Sequence, residues 1–167
     1  HNPDWIRQYD EEAACLTAVF QPILITIHHI GSTAIPSIKA KPIIDILIVV
    51  KTITAVDEYI KPMAAMGYIC KGENGIAGRR YFRKGSDVHH TYHIHIYEEG
   101  HPEIGRHLNF RDYLRHHPQE AEVYSQLKEA LAQQYFSDPQ SYTSSKTSFI
   151  GNVLKQARLW RAKQAIL

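Results

Sequence analysis

The chain has 167 residues, 44% of them hydrophobic and 22% charged, and a formal net charge of +2. That balance suits one folded domain with its own core, and it excludes a disordered polyelectrolyte or a disulfide-dense scaffold. So small a charge does not indicate a nucleic-acid partner, and no apolar run approaches the roughly 18–20 residues of a membrane span.

The apolar residues Trp5, Ile6, Tyr9, Ala13, Leu16 and Phe20 recur at helical spacing, so residues 4–20 are expected to form an amphipathic helix. Residues 23–30 are β-branched and apolar apart from Thr26, His28 and His29, which suits a strand ended by Gly31-Ser32. A turn or two of helix fits 33–40, which holds Pro36. Residues 42–50 are apolar except for Asp45 and read as a central strand covered on both faces. A helix over 52–66 follows, with Gly67 as its cap. Strands are expected at 68–70, 79–84 and 91–97, with a glycine-rich hairpin or loop at 71–78. Helical periodicity then takes over at 103–116, 118–135 and 142–165, with Pro118 in a first turn and Asp138-Pro139 opening the last helix.

Strands first and helices after predict a single α/β (α+β) domain over 1–167, a mixed sheet flanked by helices with a helical C-terminal section. Cys15 and Cys70 lack metal-ligand spacing and are expected as buried free thiols. With no charged-then-apolar leader at the start, they fit a cytoplasmic address.

The sharpest chemical feature is a strand, then Gly31-Ser32, then a short helix, then a strand carrying Asp45. A glycine at a strand end lets a phosphate approach the backbone, and the amides that open a helix offer it donors. Ser32 adds a hydroxyl. A lone carboxylate in an apolar strand needs a partner, either a nearby Lys or Arg or a divalent cation.

The stretch His29-Ile30-Gly31-Ser32-Thr33-Ala34-Ile35-Pro36, followed by Lys41-Pro42-Ile43-Ile44-Asp45-Ile46, resembles the signature of the GrpB family. So do His107-Leu108-Asn109-Phe110-Arg111-Asp112-Tyr113-Leu114 and the ending from Tyr142 and Lys146 into Phe149-Ile150. The resemblance covers nearly the whole chain. It implies a nucleotidyltransferase-like fold, because GrpB proteins are grouped with the nucleotidyltransferase superfamily, whose pattern is hydrophobic-Gly-[Gly/Ser], a spacer, then Asp-hydrophobic-[Asp/Glu]-hydrophobic. Twelve residues separate Ser32 from Asp45, which suits that spacer. The superfamily's mechanism uses carboxylates at strand positions i and i+2 to hold two divalent ions, Mg or Mn, on a triphosphate. This chain departs there, since Leu47 stands two residues after Asp45.

His93, His95 and Tyr97 alternate along one face of the strand at 91–97. The superfamily takes its third carboxylate from a later strand, so the resemblance implies that His93 and His95 complete a site with Asp45. Two histidines and a carboxylate suit zinc or another transition metal; strand histidines on a solvated face are the alternative. Glu98 is a further acid at that strand's end.

Lys39, Lys41, Arg79, Arg80, Arg83 and Lys84 flank this region in the sequence. Alternation allows only one of the sets Arg79/Arg83 and Arg80/Lys84 to face a pocket. His107, Arg111 and Arg115 share a helix face, as do Tyr142 and Lys146.

The resulting expectation is a nucleotide or other phosphorylated small molecule as partner. Gly31, Ser32, Lys41, Arg79, Arg111 and Lys146 would take the phosphate, and Asp45, His93 and His95 would serve as catalytic and metal ligands. The other readings are a single-metal Asp/His/His hydrolase, and a degenerate nucleotidyltransferase fold acting as a ligand-binding module.

Overall fold

A computed structural model describes residues 2–166. Helix α1 (Asp4–Phe20) leads into β1 (Leu24–Ile30), a 3-10 turn (Ser32–Ala34) and β2 (Ile44–Val50). A second 3-10 stretch (Ile53–Tyr59) runs into α2 (Ile60–Ala65), and β3 (Tyr68–Cys70), β4 (Arg79–Gly85) and β5 (His90–Glu98) complete the strands. Helices α3 (Pro102–His116), α4 (Pro118–Gln134) and α5 (Pro139–Gln164) close the chain. The expected elements are present in the expected order, with ends shifted by a few residues.

The five strands form one mixed sheet in the order β1-β2-β5-β4-β3, in which only β2 and β5 run parallel. The apolar run of β2 is explained by its place in the interior, with both faces covered. On one face Ile44, Ile46, Ile48, Phe82, Ile94 and Ile96 pack against α1 and Met63 of α2. On the other, Ile30, Leu47 and Tyr97 meet Ile104 and Leu108 of α3. A separate helical core, containing Leu114, Tyr124 and Val153, ties α3, α4 and α5 to Ile35 and Ile38 of the loop before β2. That loop is therefore pinned to the helices. No described helix is long and apolar enough to cross a membrane.

Two expectations change. The stretch 52–66 is not one α-helix, because Pro62 lacks the N–H that residue 58 would accept and its ring opposes that carbonyl. The first part winds as 3-10 instead, and Gly67 ends the segment at φ 89°. Cys15 is exposed rather than buried, since it lies off the stripe of Trp5, Ala13, Leu16 and Phe20 that α1 turns inward; Cys70 is half-buried.

Candidate functional site

Parallel pairing of β2 with β5 sets Asp45 opposite His93 and Leu47 opposite His95, and antiparallel β4 adds Arg83 opposite His93 and Tyr81 opposite His95. All these side chains share the α3 face of the sheet. His95 Nε2 lies 3.1 Å from Asp45 Oδ1, and His93 Nδ1 lies 3.4 Å from the same oxygen. His93 Nε2 meets His90 Nδ1 at 2.9 Å, and the His90 ring nitrogen Nε2 meets Arg83 at 3.1 Å. Burial would raise the Asp45 carboxyl, but the two imidazoles hold it well below the usual carboxylate range. About a quarter of its side chain (26%) stays open, so a ligand can reach it.

Gly31 sits at φ 72° and ψ −173°, a conformation that disfavours any side chain. A Cβ there would stand 2.7 Å from Asp45 Oδ2, so the glycine is the gap into which the carboxylate fits. Ser32 follows and opens the 3-10 turn. From behind, α3 fastens this turn. Arg111 donates to the His29 carbonyl at 3.0 Å and Arg115 to the Ala34 carbonyl at 2.7 Å.

In front of the turn lies a cavity of about 450 Å³, lined among others by Ser32, Lys41, Asp45, His93, Tyr142 and Lys146. That is within the usual range for small-molecule sites. Lys128 of α4 also lines it, donating to Ser32 Oγ at 2.9 Å and to the Lys39 carbonyl at 3.0 Å. Burial, and then the charge of Lys146, push the Lys128 ammonium down to about 8. Lys146 is lowered too, first by burial, with Asp45 opposing and Lys41 adding to the fall.

The structure thus brings Ser32, Lys41, Asp45, His93 and Lys146 around one cavity, with Gly31 and His95 against Asp45 behind its wall. It places Arg79 elsewhere, bound to the Glu73 and Asn74 carbonyls at 3.0 and 2.6 Å, where it organises the loop before β4. Arg111 grips the turn's backbone and Asp112 rather than lining the cavity. Glu98 accepts from the Ile53 amide at 3.0 Å. His28 lies near Arg111, and His29 is buried on the opposite face, bonded to Thr33 at 2.9 Å and stacked on Tyr9. Lys128 had no signal in the sequence: it is 96 positions from its Ser32 partner, on a helix that carries other charged residues as well.

The donor set bears on a metal. Two Mg²⁺ or Mn²⁺ ions need several oxygen ligands. The cavity lining supplies the carboxylates Asp45 and Glu129, and Glu129 is paired with Lys39 at 2.9 Å. Leu47, where the i+2 acid would stand, is fully buried between Ile30 and Tyr97. Asp45, His93 and His95 are the right donor types for zinc. Among the described residues, however, no three His, Cys, Asp or Glu are placed to hold an ion.

Residues 1–156 match the family model described as GrpB protein. A crystal structure of the conserved protein GrpB from Enterococcus faecalis has a similar fold, with a TM-score of 0.89 and 40% identity over 96% of this chain and 97% of that one. The Bacillus subtilis protein YqkA is 50% identical over 96% of this chain, which spans only 47% of that relative's length. The glutamate-rich protein GrpB of Alkalihalophilus pseudofirmus is 33% identical over 93% of this chain and 92% of its own.

Proposed function

The chain belongs to the GrpB family, and on that premise we propose that it is a ligand-binding module whose cavity takes the phosphate end of a small molecule. The observation that carries this reading is the meeting of the Gly31-Ser32 turn with the ammonium groups of Lys41, Lys128 and Lys146, none of them in an ion pair among the described residues, around one cavity. Cations desolvated beside backbone amides and a hydroxyl favour an anion with many acceptor oxygens.

The resemblance of this turn and of the Asp45 strand to nucleotidyltransferases supports a nucleotide or related phosphate ester as the ligand. It does not extend to transfer. Asp45 is shared by two imidazoles, and Leu47 belongs to the core. Replacing that buried leucine with an acid would bury a charge among apolar side chains.

Calorimetry with nucleoside triphosphates and pyrophosphate, on the parent chain and on Lys146→Ala, tests the proposal. Heat of binding in the parent and its loss in the variant are the expected results. Silence with every phosphate compound would refute it.

One observation favours a second reading. His93 and His95 converge on a single oxygen of Asp45, within 3.4 Å. Small rotations of the rings would present a carboxylate and two imidazoles to a zinc or manganese ion, the donor set of a single-metal hydrolase. Elemental analysis of protein purified without added metal distinguishes the two readings. A stoichiometric metal lost on Asp45→Ala would support the hydrolase; a metal-free protein that gains no phosphatase activity with Zn²⁺ or Mn²⁺ would reject it.

A further inference from the structure

We propose that the cavity takes two or more linked phosphates without a divalent metal ion, with the ammonium groups of Lys41, Lys128 and Lys146 in the place of the metal. This rests on the phosphate-pocket reading above and adds the charge of the ligand and the identity of what neutralises it.

Charge is unevenly matched around the cavity. Two carboxylates line it, and both are engaged: Glu129 with Lys39, and Asp45 with His93 and His95. Among the described residues, Lys41, Lys128 and Lys146 form no ion pair with a carboxylate. Asp45 offsets one of the three charges, so the cavity keeps an excess of positive charge with no metal ion in it.

The placement of the three lysines agrees. Lys41 precedes β2, Lys128 comes from α4 and Lys146 from α5, so the charges stand around the cavity instead of at one point. That arrangement follows a chain of phosphates better than a single tetrahedron. Lys128 directs two of its three donors to Ser32 Oγ and the Lys39 carbonyl, which leaves one for a ligand oxygen. Burial lowers Lys128 and Lys146, and repulsion from Lys146 on Lys128 and from Lys41 on Lys146 adds to it; a bound polyanion opposes both effects.

The same lining says little to a nucleobase. Tyr142 is the tyrosine on the cavity wall, and the ammonium of Lys146 lies over one face of its ring, 5.2 Å from the ring centre. Recognition is thus concentrated on the phosphates.

Isothermal titration calorimetry on the full chain tests this, with inorganic pyrophosphate and orthophosphate, each in EDTA and in Mg²⁺. Pyrophosphate should bind in EDTA about tenfold or more tighter than orthophosphate, and Mg²⁺ should not strengthen it. Lys128→Ala and Lys146→Ala should each weaken pyrophosphate about tenfold or more. Because Lys41 is exposed, Lys41→Ala gives the same readout with no risk to the fold. Pyrophosphate binding that requires Mg²⁺, or orthophosphate binding of equal strength, would overturn the inference and leave the phosphate pocket standing. Silence of both anions and of ATP in both buffers would overturn the pocket itself.

Discussion

Replacing Gly31 with alanine tests how tightly the turn and the carboxylate are built together. The backbone at φ 72° and ψ −173° belongs to a region open essentially to glycine, and a side chain there costs about 1–3 kcal/mol. The new methyl would also stand 2.7 Å from Asp45 Oδ2, closer than real contacts allow, and a tight 3.2 Å from its Cγ. The carboxylate must move, loosening hydrogen bonds of a charged group worth about 1.5–3 kcal/mol. A total of about 3 kcal/mol or more follows, or at least about 6 °C in Tm for a chain of this size. Urea unfolding of Gly31→Ala, Asp45→Ala and the double variant measures it. In the Asp45→Ala background the clash with the carboxylate is gone, so the glycine substitution should cost about 1 kcal/mol less than in the parent. An alanine variant within about 0.5 kcal/mol of the parent, or costs that simply add, would refute the coupling.

Three further outcomes are expected. Pyrophosphate affinity should weaken above about pH 8 as Lys128 loses its proton, and Lys128→Arg should remove that loss because guanidinium stays charged; identical profiles would count against a role for this ammonium. The Asp45 carboxyl is held below its unfolded value, so the stability it contributes is present above about pH 4 and disappears as the pH falls further. Asp45→Asn should therefore cost about 1–3 kcal/mol near pH 7 and progressively less as the pH falls below about 4; a cost that stays constant down to low pH would contradict it. Tyr68→Phe removes a 2.6 Å hydrogen bond to buried Glu12 on the far face of the sheet. It should cost about 1–3 kcal/mol while leaving anion binding unchanged, and a loss of binding would show that the two faces are not independent.

Much of this arrangement was legible in the sequence, for definable reasons. The apolar run around Asp45 reads as an interior strand because both its faces are covered, and the alternation of His93 and His95 with Ile94 and Ile96 reports the face each occupies. Once β2 and β5 pair, the meeting of Asp45 with both imidazoles follows from period-two geometry. The arginines were less transparent. Sequence shows a charge but not its acceptor, and Arg79, Arg111 and Arg115 each find backbone carbonyls that only the folded loops present. Lys128 was hidden for the same reason, its acceptors lying 96 and 89 positions away. Pro62 was visible, and its effect on the helix before β3 could have been derived from the missing donor alone.

A crystal structure of the chain with pyrophosphate tests the central claim most directly. Phosphate oxygens within hydrogen-bond distance of Ser32, Lys128 and Lys146, beside an Asp45 still joined to His93 and His95, are the predicted result. Pyrophosphate bound on another surface, with this cavity unchanged and filled only by solvent, would contradict it.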